Sequence, residues 1–135
     1  MPNATNEKAR DTLAADETAA ADETAELISS EKVEGTAVYD RKGEKIGSVH
    51  HLMINKYTGQ VAYAVISFGG FLGIGAEYRP IPWRLLDYDG EAGGYVVDLD
   101  REQLKNAPHF AENREPDWSD PGCTARIDEY WIIVP

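Results

Sequence analysis

The chain has 135 residues, 24 acidic against 13 basic, for a formal net charge of −11; this length suits one domain with a modest core and is too short for two ordinary ones. The charge is uneven, with eight acids against only Lys8 and Arg10 up to Glu31, so that −6 sits in the first segment and −5 in the rest. A field of that sign repels phosphate backbones and anionic lipid, which argues against nucleic acid and bilayer surfaces as partners unless a local basic patch intervenes, and the sequence clusters none.

At the start of the chain, Met1-Pro2-Asn3-Ala4-Thr5-Asn6-Glu7 lacks the charged-then-apolar order of a secretory signal. No apolar run approaches the roughly 20 residues of a membrane span, so a soluble, cytoplasmic protein is expected. Up to about Ala25 the chain is Ala, Thr, Asp and Glu, and Ala14-Ala15-Asp16-Glu17-Thr18-Ala19 recurs as Ala20-Ala21-Asp22-Glu23-Thr24-Ala25. Such a segment buries too little apolar surface to offset its ordering entropy, and a disordered, solubilising tail is expected over residues 1–26.

From Val33 the chain reads as short strands separated by turn residues. A first strand, Gly35 to Tyr39, turns through Asp40-Arg41-Lys42-Gly43 into a second, Lys45 to Asn55. In that second strand Ile46, Val49, Leu52 and Ile54 break one period-2 phase, which predicts a bulge at Gly47 or at His50-His51. Lys56-Tyr57-Thr58-Gly59 makes a hairpin loop. The third strand, Gln60 to Phe68, is apolar on both faces and so should be central. A glycine loop follows, Ser67-Phe68-Gly69-Gly70-Phe71-Leu72-Gly73-Ile74-Gly75, with three large apolar residues set among four glycines. Pro80 and Pro82 lie two apart, so their missing N–H groups fall on one side of a strand and mark a sheet edge or barrel seam.

Leu85 to Asp89 and Tyr95 to Leu99 read as a hairpin turned through Gly90 to Gly94. Asp100 is the expected N-cap of a short helix, with Gln103 at the capping-box position and Pro108 as its stop; Leu104 and Ala107 would cover one opening of a barrel. Ala111 to Gly122 is polar and should wrap the surface. The end, Tyr130 to Pro135, is apolar and rich in β-formers, so a strand docked on its own barrel or on a partner is expected.

Val33-Glu34-Gly35-Thr36, the Asp40 to Gly47 turn and step, Lys56 to Gly59, the glycine loop and Pro80-Ile81-Pro82-Trp83 together resemble the PRC-barrel family. That small barrel occurs in the photosynthetic reaction-centre H subunit and in ribosome maturation factors. The resemblance covers about Ile28 to Asn106, and the nearest likeness is to stand-alone bacterial members. It implies an all-β fold, a small PRC-type β-barrel of about five to six strands with a short C-terminal helix and extended tails. Residues 27–107 would form the barrel and 108–135 a C-terminal extension with an apolar end. The two better-understood branches act by binding. The chain lacks the H subunit's membrane span and the maturation factors' separate N-terminal barrel, so neither specific role transfers.

Candidate chemistry is sparse. The glycine loop does not lead into a helix with Lys and Ser/Thr, and Glu77 would repel phosphate, against a nucleotide loop. His50 and His51 point to opposite faces unless a bulge reorients one, and no further ligand spacing supports a metal. Asp87 and Asp89 share a strand face beside a turn, where solvation is expected rather than an acid/base role. Cys123, the only cysteine, excludes an internal disulfide and a multi-cysteine zinc site, fits a reducing compartment and has only Arg126 nearby to lower its pKa. Tyr78, Trp83 and Tyr88 read as one aromatic cluster near the glycine loop, and Arg79 and Arg84 as a weak version of a positive groove.

No catalytic residue, cofactor or metal is assigned. The reading is a non-catalytic protein-interaction module, an adaptor or scaffold, whose candidate surface comprises Phe71, Leu72, Ile74 and Trp83 with Trp131, Ile132 and Ile133 at the C-terminus. A homodimer is the simplest partner, because two-fold pairing hides an apolar patch on both copies. The alternatives are an RNA- or ribosome-associated factor, by analogy with the maturation factors, and a small-ligand carrier or accessory protein of a photosynthetic or electron-transfer complex.

Overall fold

The computed structural model describes residues 23–69, 75–111 and 113–133. Most of the acidic tail expected over 1–26 therefore lies outside the described residues. The chain divides between Lys32 and Val33. In the first unit Glu23 and Ile28 form an isolated antiparallel bridge. Thr24 holds the turn between them: its hydroxyl accepts from the Leu27 N–H at 2.9 Å and its N–H donates to the Leu27 carbonyl at 2.7 Å. Lys32 Nζ lies 2.9 Å from Glu23 Oε1, and a single helical turn, α1, spans Ser30–Val33.

The second unit is built on seven strands: β1 Ala37–Tyr39, β2 Lys45–Ile54, β3 Val61–Phe68, β4 Glu77–Pro82, β5 Leu86–Asp89, β6 Gly94–Val97 and β7 Phe110–Ala111. They pair in the order β5-β6-β1-β2-β3-β4-β7. Each pair is antiparallel except β1 and β6, which run parallel with Val38 opposite Tyr95. Among the described residues the hydrogen bonds do not join β7 back to β5. The all-β expectation holds, with the two-residue β7 added to the five or six strands anticipated.

Turn chemistry fixes the strand ends. After β1 the carboxylate of Asp40, only 2% exposed, accepts from the N–H groups of Lys42 and Glu44 at 2.9 and 3.0 Å. Its own N–H donates to the Glu44 carbonyl at 2.9 Å. Asn55 holds the next loop through the N–H groups of Tyr57 and Thr58, and Gly59 takes φ 79°, open to glycine at no steric cost. The phase slips in β2 are bulges, one at the anticipated His50-His51 pair and one at Ile46, the residue before the alternative position, Gly47. Ile46 is the extra residue between Gly47 opposite Val38 and Lys45 opposite Tyr39, and His50 is the extra residue between Val49 opposite Ile66 and His51 opposite Val65.

β3 is central, paired with β2 on one side and β4 on the other, and Ala64, Val65 and Ile66 are fully buried. Strand alternation then separates two faces. Val49, Ile66, Ala64, Ile81 and Arg79 oppose one another on the first. Val65 and Tyr78, with Ala76, pack on the second against Met53, Phe110 and Trp118. β7 pairs only with Glu77 and Tyr78 of β4 and stops short of the two prolines, so the outer side of β4 at Pro80 and Pro82 has no strand partner. Gly94 sits where β6 approaches β1 so closely that a Cβ would strike the Ala37 carbonyl.

The capping box is formed as expected: Asp100 Oδ1 accepts from Gln103 N–H at 2.8 Å and Gln103 Oε1 accepts from Asp100 N–H at 2.9 Å, opening helix α2, Arg101–Lys105. Leu104 and Ala107 are buried.

The C-terminal end corrects the sequence expectation. Tyr130 to Ile133 belong to a helix, α3, Pro121–Ile133, rather than to a strand. Asp120 accepts from the Gly122 N–H through Oδ1 at 2.9 Å, and Pro121, whose missing N–H is an orphan in a first turn anyway, stands just inside. Cys123, Ile127, Tyr130 and Trp131 then recur at helical spacing, with Ile127 and Trp131 buried. Among the described residues no helix is long and apolar enough to cross a membrane.

Candidate functional site

The sequence-predicted surface residues separate. Phe71, Leu72 and Ile74 lie outside the described residues. Trp131 is 0% exposed: its Nε1 donates to the Pro80 carbonyl at 3.1 Å, using an acceptor that the proline-bearing edge of β4 leaves without a strand partner. It therefore anchors α3 to the sheet from inside. Ile132, the next residue, is 74% exposed. Ile133 is the last residue of α3. Trp83 opens a 3₁₀ turn, Trp83–Leu85, directly after β4 and is half-buried, its ring edge-on to Tyr95 at 5.3 Å.

Trp83 and Ile132 belong to one corner because Arg84 joins their segments. Its Nη2 donates to the Trp131 carbonyl at 3.4 Å, where the last turn of α3 has free acceptors. A cleft of about 340 Å³ opens there, lined by Val61, Ala62, Tyr63, Pro82, Trp83, Arg84 and Asp128. Its wall carries a hydrogen bond from the Tyr63 hydroxyl to Asp128 Oδ1 at 2.5 Å. Burial and that carboxylate both push the Tyr63 hydroxyl well above its ordinary pKa, so it remains a proton donor at any physiological pH. The corner thus holds an exposed isoleucine, a half-exposed indole, one cation and one anion.

The other sequence candidates resolve individually. The bulge leaves the rings of His50 and His51 5.0 Å apart. His50 packs on Tyr78 at 4.6 Å, and His51 Nε2 is 3.3 Å from Glu115 Oε1. Among the described residues no group of three or more His, Cys, Asp or Glu side chains is placed to hold a metal ion. Asp89 caps its turn by accepting from the Glu91 and Ala92 N–H groups, and Asp87 is exposed. The Cys123 thiol is pushed up, by burial and then by Asp120, against the opposing pull of Arg126. The expected single aromatic cluster is two. Trp83 and Tyr88 both meet Tyr95, whereas Tyr78 stacks with Phe110 at 5.6 Å.

Arg79 and Arg84 do not form a shared groove. Arg84 serves the end of α3, while Arg79 is 4% exposed and lies on the sheet face of Ile66 and Ile81. Sequence reasoning treated Arg79 as a surface charge. The signal that could have placed it inside is the alternation of β4, in which Arg79 shares a face with Ile81 between two prolines that must both face the outer edge.

The PRC-barrel domain profile matches residues 25–104, more than half of the chain. An uncharacterized protein of Deinococcus radiodurans is 26% identical over 76 residues, which are 56% of this chain and 27% of that protein. The chain thus spans about a quarter of the length of that relative. Among solved structures, one described as the 16S ribosomal RNA processing protein RimM of Pseudomonas aeruginosa is 23% identical, covering 59% of this chain and 49% of that one with a TM-score of 0.38. With its seven-stranded sheet, its prolines at the sheet edge and a profile match over most of the strands, the chain belongs to the PRC-barrel domain family.

Proposed function

We propose that the protein is a non-catalytic interaction module, a scaffold whose first partner is a second copy of itself and whose working surface is the corner between the 3₁₀ turn and the end of α3. The observation that carries the reading is the 74% exposure of Ile132 on the residue next to a fully buried anchor, Trp131. The helix end is fastened by the Trp131 bond to Pro80 and the Arg84 bond to the Trp131 carbonyl, and the apolar side chain it presents outward lies outside the protein's own core. Arg84 and Asp128 give the same corner one charge of each sign. A two-fold pairing sets such a pair against its own counterpart, Arg84 to Asp128 and Asp128 to Arg84, and covers Ile132 on both copies at once. The Tyr63 phenol and the Cys123 thiol nearby are both pushed up, away from acid/base and nucleophilic work, which supports binding over catalysis. The single cysteine, its thiol held protonated, supports a reducing cytoplasmic setting.

Sedimentation equilibrium of the full chain tests this. A dimer is expected that Ile132→Asp dissociates while the variant keeps the parent's far-ultraviolet circular dichroism, and that Arg84→Glu weakens. A monomer at every accessible concentration, or a dimer indifferent to Ile132→Asp, removes the reading.

A further inference from the structure

A second cavity, of about 490 Å³, opens at the end of the sheet where the glycine loop leaves β3 and returns to β4. Phe68, Gly69 and Gly75 flank it, Ile46 and Leu104 add apolar wall, and Arg79 stands within it between Glu77 and the C-terminal end of α2. The cation here is the unusual part. A side chain 4% exposed carries a full charge, and burial of a charge costs several kcal/mol unless partners compensate it. Compensation is incomplete. Nη2 alone is used, donating to Glu77 Oε2 at 2.8 Å and to the Lys105 carbonyl at 3.0 Å. The Phe68 ring lies under the guanidinium at 5.2 Å. Nε is buried with no partner, and Nη1 makes no hydrogen bond among the described residues.

Three further cations, Lys45, Arg101 and Lys105, line the cavity in a protein that carries a net charge of −11. Arg101 is occupied, 3.0 Å from Glu44 and 3.7 Å from Asp40. Lys45 and Lys105 also line the cavity and have no ion-pair partner among the described residues. Against them stands one acid, Glu77, whose carboxyl is held below its ordinary pKa by the hydrogen bond from Arg79 and so stays charged.

We infer that this cavity is a binding site for a small organic acid, a single carboxylate carried on a compact apolar or aromatic body. The carboxylate would take the unused Nη1 donor of Arg79 and the field of Lys45 and Lys105. The body would lie against Phe68, Ile46 and Leu104. A guanidinium matches a planar carboxylate better than a point charge does. The permanent negative charge of Glu77 disfavours a phosphate dianion, and the apolar wall disfavours a bare inorganic ion. The volume is in the range of small-ligand sites. This site is separate from the Trp83 and Ile132 corner and stands whether or not the protein dimerises.

The test is an NMR titration of the isotope-labelled full chain with benzoate, with benzamide as its uncharged counterpart, and with inorganic phosphate. Benzoate should shift the amide signals of Phe68, Gly69, Gly75 and Lys105 saturably, benzamide should not, and phosphate should fail to compete. Lys45→Gln with Lys105→Gln, both at exposed positions, should keep the fold and weaken benzoate by about tenfold. Equal shifts with benzamide, displacement by phosphate, an affinity unchanged in the double variant, or no saturable shift with benzoate would each overturn the inference.

Discussion

At the scale of single residues, Glu77 and Asp40 make the fold sensitive to acid. The hydrogen bond from Arg79 lowers the pKa of Glu77. For Asp40, burial raises the pKa, but the N–H groups of Glu44 and Lys42 and the charge of Arg101 outweigh it and leave the net shift downward. A carboxyl whose pKa is lower folded than unfolded contributes stability that is complete above its unfolded value and is lost as pH falls through its folded value. The melting temperature should therefore hold near neutrality and decline on the acid side, between about pH 5 and pH 2. Glu77→Gln should flatten that decline in melts recorded across the range; an acid limb of unchanged steepness in Glu77→Gln and in Asp40→Asn would refute the assignment. The turn made by Asp40 was visible in the sequence because an aspartate followed three residues later by glycine is local chemistry. The buried partner of Glu77 was not, because an arginine's burial is decided by strands that meet it from elsewhere in the chain.

At the scale of elements, α3 is fastened by contacts that no local pattern announces. Trp131 Nε1 reaches Pro80 in β4, Tyr130 donates through its hydroxyl to the Gln103 carbonyl of α2, and Asp128 accepts from Tyr63 in β3. Trp131→Ala should cost about 3–5 kcal/mol in urea unfolding, as expected for loss of a fully buried indole. Trp131→Phe, which keeps most of the packing but loses the bond to Pro80, should cost less, with about 1 kcal/mol assigned to the hydrogen bond. If Trp131→Ala unfolds at the same urea concentration as the parent, α3 is not part of the cooperative unit. The capping box at Asp100, the bulge at His50 and the centrality of β3 were legible from spacing alone. The helical state of the C-terminus was misread because the apolar tract at its end outweighed the Asp120-Pro121 start signal eleven residues upstream of Trp131, and because Cys123 and Ile127, which complete the stripe, lie between the polar stretch and that tract and were assigned to no element.

At the scale of the whole molecule, the net charge of −11 governs what can approach it. Among the described residues Lys45, Arg79, Arg101 and Lys105 gather at one cavity, and a duplex or single strand needs a continuous positive track to hold its phosphates. In filter binding at low salt the protein should retain no RNA at micromolar concentration; retention that weakens steeply with added salt would instead favour the ribosome-associated alternative. The family was legible from the order of its turns and prolines. The proposed corner was only half so: Trp83 and Ile132 stood out as large apolar residues, but their proximity depends on Arg84 bridging to a helix whose existence the sequence reading had not granted.

The parallel pairing of β1 with β6 sets an order on the chain's synthesis. β1 meets β2, the next strand to be made, almost at once, but its other side waits for residues that emerge only after β2, β3, β4 and β5. Throughout that interval a nascent chain carries an open strand edge in the middle of its future sheet, the kind of surface that templates association with other chains. Docking of the β5–β6 hairpin on β1 is thus a late step, followed only by β7 and α3 settling on β4. Gly94, where that hairpin comes closest to β1, has no side chain to obstruct it.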